Sequence, residues 1–87
     1  MINSVVTLED NEKWYLSDET EQNGVKYYLG VKLDDKEEPT NQSRIFMEEK
    51  EGEDTFLTEV EDQQIINYLS AIFASKYNDK LDELLNN

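Results

Sequence analysis

The stretch NGVKYYLGVKL (residues 23–33) decides the fold. After Asn23-Gly24, the dipeptide with the strongest turn signal in the chain, large apolar side chains alternate with mostly polar ones. A period of two is typical of a strand with one buried face. We therefore predict a tight turn followed by a long, central strand. Its apolar face is formed by Val25, Tyr27, Leu29, Val31 and Leu33.

Working outward from this strand, four further segments have strand composition. They are residues 4–9 (SVVTLE), 12–17 (EKWYLS), 44–50 (RIFMEEK) and 55–60 (TFLTEV). Asp10-Asn11 and Glu51-Gly52 supply turn chemistry, and the last two segments are spaced as a hairpin. Residues 34–42 (DDKEEPTNQ) are predicted to be a polar loop, because Pro39 cannot donate to a sheet ladder.

The last third of the chain has helical periodicity. Asp62 is a suitable N-cap, and apolar residues then recur at steps of three or four. The stripe comprises Ile66, Leu69, Phe73, Tyr77, Leu81 and Leu84. Asn78-Asp79 could interrupt or restart this helix, and Asn86-Asn87 are expected to fray. The predicted fold class is α+β: a single domain over residues 1–87, with an antiparallel meander of four or five strands and one C-terminal amphipathic helix packed on one face.

Strand alternation also assigns side chains to the two sheet faces. We expect Trp14, Tyr27, Ile45 and Phe56 to face the helix, with Trp14 buried between sheet and helix. Tyr15, Tyr28, Phe46 and Leu57 would then share the far face, where they could form an exposed patch that marks a contact surface. In the alternative register of the last hairpin, Leu57 faces inward.

Charge is the strongest feature of the composition. Twenty-one carboxylates and eight basic side chains give a net charge of −13. Such a field disfavours direct binding to nucleic acid and to anionic membranes, whereas a basic protein partner is permitted. The alternative interpretation is that the charge only keeps the protein soluble.

Residues 34–62 hold twelve of the acids and three of the bases, so most of the net charge comes from one third of the chain. We predict that a partner contacts this third. Alternatively, it is a solvated loop and hairpin. The candidate partner-binding residues are the acids Glu37, Glu38, Glu48, Glu51, Glu53 and Asp54, and the aromatics Tyr15, Tyr28 and Phe46.

Catalysis, cofactors and metals are not predicted. The chain has no histidine and no cysteine, so the usual base near neutral pH and the most reactive nucleophile are both absent. A calcium loop over Met47 to Thr58 would place Gly52 correctly at its sixth position. Its first and twelfth positions lack the required carboxylate. The first residues do not have signal-peptide character and no stretch is long and apolar enough to span a bilayer, so we expect a cytoplasmic protein.

The order of these segments resembles the domain of unknown function family numbered 1292, whose members are short acidic proteins of Gram-positive bacteria. The resemblance rests on residues 6–10 (VTLED), 24–29 (GVKYYL), 45–49 (IFMEE) and 59–62 (EVED), and covers almost the whole chain. The 34–42 loop departs from it, with Pro39-Thr40-Asn41 in place of a plain acidic run. The resemblance implies a cytoplasmic bacterial protein with no assigned activity, and it transfers no functional residues.

The sequence therefore favours a small, non-catalytic protein-binding or adaptor module whose oligomeric state is open. The runner-up is a nucleic-acid mimic, such as a phage-type inhibitor that occupies the basic groove of a nucleic-acid-binding protein. A third hypothesis is a housekeeping domain whose only partner is itself.

Overall fold

In the computed structural model, residues 2–8 and 10–85 are described, with side chains through residue 76. Across these described residues, five strands form one antiparallel sheet in sequential order, and a single helix follows. The strands are β1 (Val5–Thr7), β2 (Lys13–Gln22), β3 (Val25–Leu33), β4 (Pro39–Glu51) and β5 (Asp54–Glu59), and the helix is α1 (Gln63–Leu85). The predicted α+β meander with one C-terminal helix is confirmed.

The sheet curls into a half-barrel, so each of its faces can bury apolar side chains. On the concave face, Trp14, Leu16, Tyr28 and Phe46 form a buried cluster. Val6, Leu8 and Leu57, from the outer parts of the sheet, pack against this cluster. On the opposite face, α1 covers a second cluster in which Ile45 of β4 meets Leu69 and Phe73.

Trp14 is buried as predicted, with 1% of its surface exposed, but it lies on the face opposite the helix. The cause is a bulge at Ser17. On the turn side of the bulge Glu19 pairs with Tyr28, whereas beyond it Leu16 pairs with Gly30 and Trp14 with Lys32. Because side chains alternate with a period of two, one extra residue moves the following part of the strand to the other face. The prediction that Trp14 lies between sheet and helix is therefore wrong.

The prediction of an exposed aromatic patch on the far face of the sheet is also wrong. Tyr28 and Phe46 share the face opposite the helix and are directly paired, but each is only 1% exposed because the curled sheet encloses them. Tyr15 lies on the other face, paired with Val5 and Val31. The β4–β5 hairpin has the first of the two registers considered in the sequence analysis. Leu57 lies opposite Glu48 on the concave face and packs against the buried cluster there.

The helix begins as the sequence indicates. The Asp62 carboxylate accepts hydrogen bonds from the N–H groups of Gln64 at 2.9 Å and Ile65 at 3.3 Å. Ile66, Leu69 and Phe73 of the predicted stripe contact the sheet, and the helical backbone continues through Asn78-Asp79. The side chains of Tyr77, Leu81 and Leu84, and all of Asn86-Asn87, lie outside the described residues.

The second half of the segment predicted as a polar loop, residues 39–42, is strand. Only residues 34–38 form the connection, and β4 already begins at Pro39. Proline is tolerated as the first residue of a strand, because the missing N–H interrupts no ladder there. As a result, β4 runs for thirteen residues and separates its two turns by nearly the length of the molecule.

Candidate functional site

The meander brings alternate turns to the same end of the sheet. The β2–β3 and β4–β5 turns therefore meet at one end, while the β1–β2 and β3–β4 turns meet at the other. We call the end with the β2–β3 and β4–β5 turns the acidic end; it comprises residues 19–26 and 48–55. We call the opposite end the paired end; it comprises residues 10–13 and 32–38 together with Arg44 and Glu59.

The acidic end gathers carboxylates from two neighbouring hairpins. Seven acids stand there against two lysines, Lys26 and Lys50. The acids are Glu19, Glu21, Glu48, Glu49, Glu51, Glu53 and Asp54. Among the side chains described, none of these seven forms an ion pair. The negative charge of this end is therefore not neutralised within the molecule.

Two tight turns fix the backbone of the acidic end. Asn23 and Gly24 both have positive φ, 54° and 80°, as a type I′ turn requires. In the other turn Gly52 has φ of 61°, which glycine adopts without strain and which suits the first central position of a type II′ turn. Both turn types match the twist of the flanking strands, so the carboxylates are carried by short, well-defined hairpins.

One acid of this end is tied to the buried core. The Tyr28 hydroxyl donates a hydrogen bond of 2.7 Å to the Glu48 carboxylate. Burial, this hydrogen bond and the negative charges of Glu48 and Glu19 raise the pKa of the Tyr28 phenol above its ordinary value of 10.0. The Glu48 carboxylate is therefore held against the concave face instead of extending freely into solvent.

A shallow cleft opens on the concave side of the acidic end. Its volume is about 410 Å³, and its charged lining residues are Glu21, Glu48, Lys26 and Lys50. Both signs of charge are present, and no aromatic ring and no hydroxyl group of the described residues lines it. Such a lining suits contacts with polar or charged side chains of a partner better than it suits chemistry on a small molecule.

The paired end has a different arrangement. Glu12 lies 3.4 Å from the Lys32 ammonium and 3.7 Å from the Arg44 guanidinium, and Arg44 in turn lies 3.2 Å from Glu59. The Arg44 guanidinium also covers the Trp14 ring, 4.9 Å from its centroid. This network connects β3, β4 and β5 with the residue that precedes β2, so its charges stabilise the sheet and close one end of the concave cluster.

Two of the candidate acids lie at the paired end. Glu37 and Glu38 belong to the turn between β3 and β4, and Glu37 forms an ion pair of 2.6 Å with Lys13. The Lys13 ammonium lowers the pKa of the Glu37 carboxyl below its ordinary value of 4.5. The remaining candidate acids, Glu48, Glu51, Glu53 and Asp54, lie at the acidic end. The acidic third of the sequence is thus not one surface.

Sequence reasoning missed Glu19, Glu21 and Glu49, which join the acidic end through strand pairing. A signal for the first two was present in the turn. Counting outward from Asn23-Gly24 pairs Glu21 with Lys26 and Glu19 with Tyr28, as observed. Of the candidate aromatics, Tyr15 donates a hydrogen bond of 2.9 Å to Asn3 at the edge of the sheet, far along β2 from the acidic end.

The other features give little support for a small-molecule site. An apolar groove of about 540 Å³ lies beside the helix and includes Leu29 and Phe73; its one carboxylate, Asp18, is paired with Lys76 at 3.2 Å. Among residues 2–8 and 10–76, no group of three or more acidic side chains is arranged to hold a metal ion. Within the part of the chain that is described, no helix has the length and apolar character needed to cross a membrane.

Comparison with known proteins adds no relative: no family model matches the chain, and neither a curated protein nor a solved structure shows significant similarity to it. The resemblance to family 1292 therefore stays a prediction.

Proposed function

We propose that this protein is a non-catalytic binding module that recognises a basic protein partner through its acidic end. One observation carries the proposal: none of the seven carboxylates of the acidic end forms an ion pair among the described side chains, whereas three of the seven at the paired end do. Unneutralised like charges repel one another, so they weaken the fold unless a partner of opposite charge is bound.

A binding role is also favoured by what the chain offers chemically. It has no histidine or cysteine to serve as base or nucleophile, and the Tyr28 phenol, whose pKa is raised, is buried in the core and holds its proton more tightly. We place the module in the bacterial cytoplasm, as the resemblance to family 1292 implies.

The nucleic-acid mimic remains the second candidate. Alternate residues of a strand lie about 6.6 Å apart, so Glu19 and Glu21 present one short regular row of carboxylates. Lys26 and Lys50 stand beside that row, and a phosphate backbone has no counterpart for them. For this reason we rank a basic protein surface above a basic nucleic-acid groove as the partner.

A column experiment tests the proposal. Three resins carry the wild type, the acidic-end triple variant (Glu21→Gln, Glu51→Gln, Glu53→Gln) and a control triple variant (Asp35→Asn, Glu38→Gln, Glu61→Gln). Each variant removes three negative charges from exposed side chains. Neither touches an ion pair or Tyr28.

Bacterial lysate is passed over the resins at low salt, and the retained proteins are quantified by mass spectrometry. We expect basic proteins that the wild type and the control triple variant retain and the acidic-end triple variant loses. For a purified partner, the association rate should fall about tenfold with the acidic-end triple variant, within the range of electrostatic steering. If all three resins retain the same proteins in the same amounts, the proposal is wrong.

A further inference from the structure

The outer edge of β5 is an open, regular strand edge beside the acidic end. β5 is the last strand of the sheet, and within residues 2–8 and 10–85 it pairs only with β4. Val60 donates its N–H to the Ile45 carbonyl at 2.9 Å, and this bond shows which alternate residues of β5 are hydrogen-bonded to β4. Even-numbered residues therefore direct their backbone groups toward β4, and Thr55, Leu57 and Glu59 direct theirs outward.

This edge lacks the features that protect other strand edges. β5 has no proline and no lysine, and its pairing with β4 continues without a bulge. By contrast, the exposed part of β2 carries the Ser17 bulge, and the Lys76 ammonium donates a hydrogen bond to the Glu19 carbonyl. At the other edge of the sheet, β1 is only three residues long. Among the described strands, β5 has the edge best suited to receive another strand.

The side chains along β5 define what kind of strand would fit. At its centre, Phe56 is 42% exposed on the helix side and Leu57 is half-buried on the concave side. Asp54 and Glu59 stand at the ends, and Glu48 and Glu49 lie opposite the centre on β4. A strand with apolar residues at its centre and lysine or arginine on either side would match this pattern.

A second copy of the chain fits poorly. Both copies would bring an acidic strand to the contact, since Asp54 and Glu59 stand at the two ends of β5. Two such edges side by side would gather like charges, which destabilise strand pairing. Each copy also has a net charge of −13.

We propose that β5 accepts an extended, lysine- or arginine-rich segment of a partner protein as a sixth strand. The proposal rests on the function proposed above and specifies how the partner is held. Main-chain hydrogen bonds to Thr55, Leu57 and Glu59 would supply sequence-independent affinity, and the acidic end would select a basic segment.

Two synthetic peptides test this mode of binding. The first is acetyl-Lys-Lys-Val-Thr-Val-Lys-Lys-amide. The second has the same sequence and charge but carries N-methyl groups on its three central residues, so none of these three can donate a backbone hydrogen bond to β5. We expect isothermal titration to show the methylated peptide binding about tenfold more weakly, since the loss of one or two net hydrogen bonds is of that size.

Variants of the protein give an independent readout. Thr55→Pro removes an outward N–H and leaves the β4 ladder and the charge unchanged, whereas Thr55→Val keeps the N–H and removes only the hydroxyl. Thr55→Pro should weaken the binding of the first peptide about tenfold, whereas Thr55→Val should leave its binding unchanged. If Thr55→Pro fails to fold, amide hydrogen exchange of the wild type replaces it: the peptide should protect the amides of Leu57 and Glu59.

The outcomes separate strand addition from the broader function. Equal binding of both peptides would show contact by charge alone, which overturns strand addition and leaves the basic-partner function standing. If neither peptide binds, strand addition is also overturned. The proposed binding of a basic partner is then tested by the column experiment alone. A dimer in analytical ultracentrifugation that Thr55→Pro abolishes would assign this edge to a second copy instead.

Discussion

The two ends of the sheet hold the same number of carboxylates and use them differently. The acidic end has seven acids and two lysines, and none of its described side chains forms an ion pair. The paired end also has seven acids, but four cations accompany them, and three of these cations form four ion pairs with three of the acids. The comparison shows that net charge alone says little about a surface, because the placement of a few cations decides which end stabilises the fold and which is left to interact.

The largest expected effect on stability comes from replacing Trp14, whose ring lies beneath Arg44 of the paired end. Trp14→Ala removes the ring beneath Arg44 and the largest side chain of the concave cluster, so we expect a loss of about 3–5 kcal/mol in the free energy of unfolding. Urea denaturation measures it. Wild-type tryptophan emission should be blue-shifted, and the spectrum of a fully hydrated indole in the folded protein would contradict the concave cluster.

The comparison between the ends is tested most directly by removing one cation from each. Arg44→Met leaves the Glu12 and Glu59 carboxylates without that partner and should cost about 1–3 kcal/mol. Lys50→Met, the matched change at the acidic end, breaks no ion pair among the described residues and should stay within about 0.5 kcal/mol of wild type. Equal losses in urea denaturation would mean that the two ends are not distinct.

A smaller effect is expected at Glu48, the acid of the acidic end that is hydrogen-bonded to the buried Tyr28. Tyr28→Phe removes the hydrogen bond to Glu48 and should cost about 1 kcal/mol at neutral pH. The pH dependence is more specific. Because the native pKa of Tyr28 is raised, its contribution to stability is complete below pH 10.0, its ordinary value. The contribution is then lost as the pH rises toward the native pKa, since the unfolded chain releases that proton first.

Melting experiments between pH 8 and 11 therefore compare the two proteins. The difference in stability between wild type and Tyr28→Phe should narrow above pH 10. A difference that stays constant over this range would show that the phenol is not held in its protonated form by the fold.

The smallest expected effect concerns salt. Added sodium chloride should raise the melting temperature of the wild type, because screening relieves repulsion among the carboxylates over roughly 8–10 Å. At low salt the acidic-end triple variant should be more stable than the control triple variant by about 0.5–1 kcal/mol, since it relieves repulsion at the end where only two lysines accompany seven acids. A melting temperature that falls with salt would mean that the ion pairs of the paired end outweigh the net repulsion.

Much of the acidic end was accessible from sequence. Asn23-Gly24 and Gly52 mark two turns that a meander must place at the same end, and the pairing of Glu19 and Glu21 follows from counting back from the first turn. Grouping acids by position along the chain failed because β4 is thirteen residues long. Its first and last residues lie roughly 40 Å apart along the strand, so Glu38 and Glu51 belong to opposite ends.

The sequence by itself determined the strands, the turns and the start of the helix, because alternation, glycine at positive φ and the Asp62 cap act over a few neighbouring residues. Tertiary structure alone decided which side chains lie on each face of the sheet and whether those side chains are buried. The Ser17 bulge moved Trp14 to the concave face, and the curl of the sheet buried Tyr28 and Phe46 without a helix over them. No local pattern encodes such a bulge, and its position follows from closing the curved sheet around one core.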